Sequence, residues 1–394
     1  MFSPLCLLLH NVRKETLSED NAMIYLDNAA TTFPKPPQVI AAIKNALVEY
    51  GGNPGRAGHA LSLKTAEAVF CARQKCADFF NAEVDNTIFT LNCTHALNIA
   101  IKGVAVPKCH YVMSDIEHNA ASRPIHAVTK AYGGSYSIAK TFDDDDETLR
   151  SFEAQITTKT NAVVCTAASN VTGKIMPFSR LAKMCREKGV CFILDAAQGG
   201  GVIPIRVGDG VNFICCSGHK GLYGPMGTGL LVADGKYKLR TFMEGGTGSN
   251  SHSLEQPLDL PDRYESGTVN TPGVIGLGCG IDFVNKIGFE RIYSCERKLC
   301  ELFVQEVSQN KRIKLYFDNF DGRVPLVPFN IVGTESSSAA RSLSEKGICV
   351  RGGLHCAFMA HKKIGTLETG AMRMAPSVFS GKKEVMALVK KLCS

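Results

Sequence analysis

The sequence predicts an α/β protein: a large domain with a mainly parallel mixed sheet flanked by helices, followed by a smaller α+β C-terminal domain. Three observations predict it. Short apolar runs alternate with longer stretches of helical periodicity, as in chains that wind a parallel sheet. Two of those runs end in reactive polar residues, Asp195 and Lys220, as strands do at the carboxyl edge of an open sheet. The chain's 394 residues suffice for one large domain and a smaller companion.

The elements follow in chain order. Residues 1–23 contain an apolar stretch, but it includes Pro4, lacks a basic start and is too short to span a bilayer. It is read as an N-terminal extension, neither a secretory signal nor a membrane segment. At 61–80, Leu63, Ala66, Val69, Phe70, Ala77 and Phe80 fall on one broad helical face. Residues 87–90 form a strand-like run, after which the polar turn Asn92-Cys93-Thr94-His95 opens a helix reaching Lys102. Further strand-like runs lie at 110–114, 162–168, 190–194 and 212–216, with helix-like stretches at 119–132 and 178–188. Residues 227–232 add another strand. The carboxylates at 143–146 read as a solvated helix start favoured by the helix dipole, since no convergent ligand set for a metal lies nearby. The glycine-rich, polar stretch 244–253 reads as an exposed loop. After Pro272, glycine-rich residues 273–280 lead into helices, which places the domains at 24–272 and 273–394.

Composition sets the setting. With 45% hydrophobic and 21% charged residues the chain is ordinary for a globular protein. A net charge of +7 is modest over this length, and its cations are scattered without an aromatic-interleaved stripe. Nucleic-acid and membrane partners are therefore not expected, while anionic small molecules are. Of the 16 cysteines none form Cys-x-x-Cys, and the spacings Cys71 to Cys76 and Cys295 to Cys300 match no zinc signature. Cys165, Cys191, Cys215 and Cys216 lie in apolar runs and read as small core residues, so a reducing, cytoplasmic setting is expected.

The chemistry starts at Ser217-Gly218-His219-Lys220, directly after the run 212–216. A lysine held by a strand end beside another cation is a candidate Schiff-base amine, although in isolation it reads rather as a solvated loop lysine. Asp195 closes the run 190–194 and would face the same crevice. An aspartate paired with such a lysine suggests pyridoxal phosphate, whose ring nitrogen the carboxylate keeps protonated so that the ring acts as an electron sink. The Thr94 turn offers helix N-terminal amides and a hydroxyl for the phosphate; taken alone it reads as a plain N-cap.

Seven motifs then occur in order: Tyr25-Leu26-Asp27-Asn28-Ala29-Ala30-Thr31-Thr32, Glu117-His118-Asn119, Ser169-Asn170-Val171-Thr172-Gly173, Asp195-Ala196-Ala197-Gln198, Ser217-Gly218-His219-Lys220, Glu265-Ser266-Gly267-Thr268 and Arg351-Gly352-Gly353-Leu354-His355-Cys356. Together, from about residue 24 to the C-terminus, they resemble the class V aminotransferase family of pyridoxal-phosphate enzymes. The Arg-x-Gly-x-His-Cys element is similar to that of group II cysteine desulfurases and selenocysteine lyases. The resemblance implies the fold type I pyridoxal-phosphate transferase fold and a homodimer whose sites are completed across the interface.

Residue roles follow from the same resemblance. Lys220 would hold the cofactor as a Schiff base and later move the proton from the substrate α-carbon. Asp195 would pair with the pyridinium nitrogen, Gln198 would donate to the ring's phenolic oxygen, and His118 would stack on the ring. Thr94, His95, Ser217 and His219 would hold the phosphate, with Thr268 from the partner chain. His95 stands where an acidic or hydroxyl residue is expected, so its backbone amide is the group assigned. Arg373 would bind the substrate carboxylate through its planar fork, assisted by Asn170 and Arg351, with a local surface pair between Glu368 and Arg373 as the structural alternative. Cys356 would attack the sulfur of bound cysteine and carry it as a persulfide. Positive charge on Arg351 and His355 would favour its thiolate. Phe358 replaces a proline common in relatives. Cysteine and selenocysteine remain alternative substrates, another class V reaction or a non-catalytic sulfur carrier would keep the same fold, and a protein acceptor for the sulfur, in iron–sulfur cluster assembly or otherwise, is left open.

Overall fold

The computed structural model describes residues 23–55 and 58–393, so the extension expected at 1–23 lies, up to residue 22, outside the described residues. The first half of the chain runs β1 (Ile24–Tyr25), α1 (Pro37–Glu49), α2 (Ala60–Phe80), β2 (Thr87–Thr90), α3 (Cys93–Gly103), β3 (His110–Ser114), α4 (Asn119–Tyr132), β4 (Ser135–Ala139), α5 (Asp145–Gln155), β5 (Thr160–Thr166), α6 (Phe178–Glu187), β6 (Cys191–Asp195), β7 (Phe213–Ser217) and β8 (Gly229–Ala233). The second half runs α7 (Thr271–Ile287), α8 (Phe289–Val307), β9 (Ile313–Leu315), β10 (Val327–Ile331), α9 (Ser336–Glu345), β11 (Ile348–Cys349), α10 (Phe358–Lys363), β12 (Met372–Met374) and α11 (Lys382–Cys393).

Seven strands form the main sheet in the order β2-β8-β7-β6-β5-β3-β4. The pairs from β4 to β7 are parallel, whereas β8 runs antiparallel to both β7 and β2. Helices cover both faces, which is why the central strands read as unbroken apolar runs. Along β6 the side chains alternate: Phe192 and Leu194 join a core with α2, α6 and α7, while Cys191 and Ile193 join one with α3 and α4. Each fully buried Phe, Leu or Ile contributes about 1.5–3 kcal/mol.

Three further strands, β12-β10-β9, form an antiparallel sheet packed with α8, α9 and α11 around Phe303, Phe329 and Leu388. The first strand among the described residues joins this part: β1 pairs in parallel with β11, and Asp27 bridges Ala375. The boundary expected at 272–273 falls in the first turn of α7, which packs lengthwise against α1 and α2.

Two expectations change. The helix expected at 61–80 forms, but Leu63 and Phe70 are 58% and 55% exposed, and the buried face is Thr65, Val69, Ala72, Cys76 and Phe80. Of the expected face, Val69, Ala77 and Phe80 are buried, while hydropathy alone added Leu63 and Phe70, which the helix turns outward. Strand β4 escaped notice because it is an exposed edge with the polar sequence Ser-Tyr-Ser-Ile-Ala. The carboxylates at 143–146 do start a helix: Asp144 caps α5, its Oδ1 accepting from the Glu147 amide at 2.8 Å.

Candidate active site

The carboxyl ends of β5, β6 and β7 open onto one cavity lined by Thr94, His118, Thr166, Asn170, Asp195, Gln198, Ser217, His219 and Lys220. Asp195 is the last residue of β6, 2% exposed, and its Oδ1 accepts from the Ala197 amide at 2.9 Å and the Cys93 thiol at 3.3 Å. These donors fix the carboxylate plane without requiring a surface partner. Lys220 lies in the turn after β7; burial pushes its ammonium below the ordinary lysine range, and the Asp195 charge pulls in the opposite direction. That balance suits an amine that must shed a proton to react.

The turn before Lys220 holds two unpartnered buried polar atoms, Ser217 Oγ and His219 Nδ1. Burial, then the neighbouring Lys220 and Lys35, lower His219 to about 4, so its ring is neutral near neutral pH. Unpaired buried polar groups are costly, and here both belong to one four-residue turn. Asn92, not Thr94, caps α3: its Oδ1 accepts the His95 amide at 2.9 Å. Thr94 is therefore released from capping and reaches the cavity. The assignment of His95 to the phosphate is corrected by the same bond. Its amide is taken by Asn92, its Nδ1 accepts from the Leu91 amide at 3.2 Å, and its ring lies against Phe242.

His118 caps α4 through Nδ1, which accepts from the Ala120 amide at 3.0 Å, while the residue lines the cavity. Burial lowers its basicity. Gln198 donates from Nε2 to the Ala29 carbonyl at 2.9 Å, which leaves the second N–H of its amide. Thr268 lies elsewhere in this chain: Asn53 Nδ2 donates to its hydroxyl at 3.4 Å, in a separate cavity lined by Arg73 and Glu265.

Arg373, on β12, is 2% exposed, and its Nη2 and Nη1 donate to Asp27 Oδ1 at 2.8 Å and the Asn170 carbonyl at 2.9 Å. Its Nε is buried without a partner. A surface pair with Glu368 is thereby excluded; Asp27 is the counter-charge, a residue inside a quoted motif whose role sequence reasoning missed. Arg351 bridges Arg373 backbone to backbone.

Cys356 is exposed and sits with His355 in left-handed conformation, at φ 53° and 49°. Such backbone is costly for residues with a Cβ and persists only where neighbours impose it. They do: the Asn119 amide donates to the Cys356 carbonyl at 2.7 Å, and Asn170 Nδ2 donates to the His355 carbonyl at 2.8 Å. The thiol-bearing turn is thus tied to the residue after His118 and to a cavity-lining side chain. Gly352 permits the approach, since a Cβ there would come 2.2 Å from the Ser336 carbonyl oxygen. The charge expected on His355 is absent. The ring is buried, hydrogen-bonded to His361 at 3.1 Å, and burial together with Arg373 holds its pKa well below the ordinary value. Phe358, at the start of α10, is 49% exposed.

A family model for class-V aminotransferases matches residues 24–388. The chain belongs to that family. Among its class V relatives, a probable cysteine desulfurase of Methanothermobacter thermautotrophicus is 33% identical, over 94% of both chains. A cysteine desulfurase of Haloferax volcanii is 29% identical over 93% of this chain and 88% of its own. The apo structure of a cysteine desulfurase from Thermococcus onnurineus superposes with a TM-score of 0.90 at 27% identity, covering 100% of this chain and 98% of that one. The fold is the type I fold of pyridoxal-phosphate enzymes, and pyridoxal phosphate is the cofactor of this class V enzyme. The residues present fit the group: a buried lysine, a backbone-held aspartate, and two unpartnered polar atoms beside a helix N-terminus where a phosphate is favoured.

Proposed function

We propose that this protein is a pyridoxal-phosphate-dependent cysteine desulfurase that converts L-cysteine to L-alanine and takes the sulfur onto Cys356 as a persulfide. The observation that carries the reading is the exposed Cys356 turn, held by the amide of Asn119, next to His118, and by the side chain of Asn170, which lines the Lys220 cavity. The curated relatives named cysteine desulfurase support the same reaction.

Lys220 would hold the cofactor, Asp195 would face its ring nitrogen, His118 its ring and Gln198 its phenolic oxygen. Ser217, His219 and Thr94 would take the phosphate, with Thr268 contributed by the second subunit of a homodimer. When bound, pyridoxal phosphate supplies an electron sink that acidifies the substrate α-carbon. Lys220, once freed, moves that proton, and burial, by disfavouring its ammonium, favours the neutral amine that accepts it. Arg373 orients the substrate carboxylate, with Asn170 and Arg351 beside it. The Cys356 thiolate attacks the substrate sulfur: the new S–S bond forms as the C–S bond breaks, and the electron pair stays with the carbon that becomes the alanine methyl after protonation. Exposure of Cys356 suits onward transfer to a protein acceptor.

In Cys356→Ser the visible absorbance of the bound cofactor and substrate deprotonation should persist while persulfide and sulfide are lost. Unchanged sulfide output would sink the assignment. Kinetics on both amino acids separates the substrates, since strong preference for selenocysteine would make the protein a selenocysteine lyase.

A further inference from the structure

The first motif of the chain, residues 25–32, has no role in the chemistry above beyond Asp27, yet its end converges on the lysine turn. The carbonyl of His219, the residue before Lys220, receives four donors from one short segment. They are Lys35 Nζ at 2.8 Å, the Thr32 amide and Thr31 Oγ1 each at 3.1 Å, and Thr32 Oγ1 at 3.2 Å. A carbonyl oxygen has two lone pairs, so its position is over-determined.

The donors are also ordered among themselves. Lys35 Nζ donates to Thr32 Oγ1 at 2.7 Å, and a hydroxyl carries one proton. That proton is left for the carbonyls of His219 and Lys220, both 3.2 Å away. Lys35 precedes Pro36, the N-cap of α1, and the ring of that proline restricts the Lys35 backbone to extended conformations. It is partly buried, and burial lowers its pKa to about 7; an ammonium and a neutral amine both retain N–H donors.

We propose that Lys35 is a positioning residue for Lys220: with Thr31 and Thr32 it clamps the His219–Lys220 peptide, setting where the lysine amine and the His219 ring meet the cofactor. The proposal rests on the reading of Lys220 as the cofactor-bearing lysine. It assigns to the 31–35 segment a share in cofactor affinity that contact with the cofactor does not supply.

The test uses apo-protein titrated with pyridoxal phosphate and the resulting holoenzyme, in Lys35→Met, Lys35→Arg, Thr31→Val and Lys220→Ala. Lys35→Met should weaken cofactor binding by about tenfold, the loss of a partly buried hydrogen bond to the His219 carbonyl, and move the pH midpoint of the visible band. Lys35→Arg, which keeps a cationic donor, should stay within about threefold of the parent, and Thr31→Val should fall between. Cofactor affinity and band midpoint in Lys35→Met matching the parent would overturn the clamp, even if thermal stability fell. Should Lys35→Met not fold, parental behaviour of Thr31→Val would overturn it instead. Lys220→Ala separates the two levels: loss of its visible band upholds the reading of Lys220, so that an unaffected Lys35→Met sinks the clamp alone, whereas a persistent band sinks that reading too.

Discussion

Asp27→Ala removes the counter-charge of a buried arginine, and its effect can be worked from the geometry. Arg373 is 2% exposed and Asp27 19%, with 2.8 Å between Nη2 and Oδ1. Breaking a buried pair by deleting one partner costs about 3–5 kcal/mol, because the remaining charge stays desolvated. Asp27 retains some water contact, which places the expected loss near the lower end, about 3 kcal/mol. Arg373→Met removes the charge as well as its partners, so the double variant Asp27→Ala, Arg373→Met should lose less than the sum of the singles by about 2–3 kcal/mol. Urea unfolding of all four proteins at constant slope measures this cycle. Asp27→Ala should also raise KM more than it lowers kcat, since a guanidinium without its anchor no longer presents a fixed fork to a substrate carboxylate. Additivity of the two substitutions within about 0.5 kcal/mol would refute the reasoning.

Two further substitutions probe other parts. Gly352→Ala drives a Cβ to within 2.2 Å of Ser336 backbone and should displace the cysteine turn. We expect a stability loss of about 1–3 kcal/mol and loss of persulfide with the cofactor's absorbance retained; full persulfide formation would count against a rigidly held turn. Glu296 is buried, accepts from the Tyr223 hydroxyl at 3.3 Å, and burial raises its pKa to about 8. A raised acid holds its proton when folded and loses it when unfolded, so its stabilisation is present below the unfolded value of 4.5 and is lost as pH rises to about 8. Glu296→Gln should therefore lose less stability than the parent between pH 5 and pH 8, by on the order of a few kcal/mol. Parallel stability curves over that range would exclude it.

Much of the main sheet was legible because its strands are buried on both faces and read as plain apolar runs ending at Asp195 and near Lys220. The edge strand 135–139 was not, since an exposed strand carries no hydrophobic signal. Side-chain facing on the 61–80 helix was legible in part: Val69, Ala77 and Phe80 are buried as expected, whereas Leu63 and Phe70, which hydropathy rewards, are exposed. In the site, residue types that serve one chemistry stood out in their motifs. Groups that act through another residue did not: Asp27 behind Arg373, Cys93 behind Asp195 and Asn92 behind the Thr94 turn have ordinary local contexts. The partners of Asp27 and Cys93 are distant in sequence, by 346 and 102 positions, and no local pattern encodes such a distance; that of Asn92 lies three residues on. The neutral His355 illustrates the converse, a residue beside the thiol in sequence whose ring turns inward to His361.

The pairing of residues 24–27 with strands close to the C-terminus has a temporal meaning. Asp27 meets Arg373 only after residue 373 exists, and Asn28 finds its acceptor only at Ala375. At roughly 5–20 residues per second, Asp27 waits roughly 20–70 seconds during synthesis for its partner. The nascent protein can build its parallel sheet and lysine turn early, but it stays without a finished substrate pocket until nearly the whole polypeptide has been made. Premature termination near the end should therefore yield a chain that holds cofactor and turns over nothing.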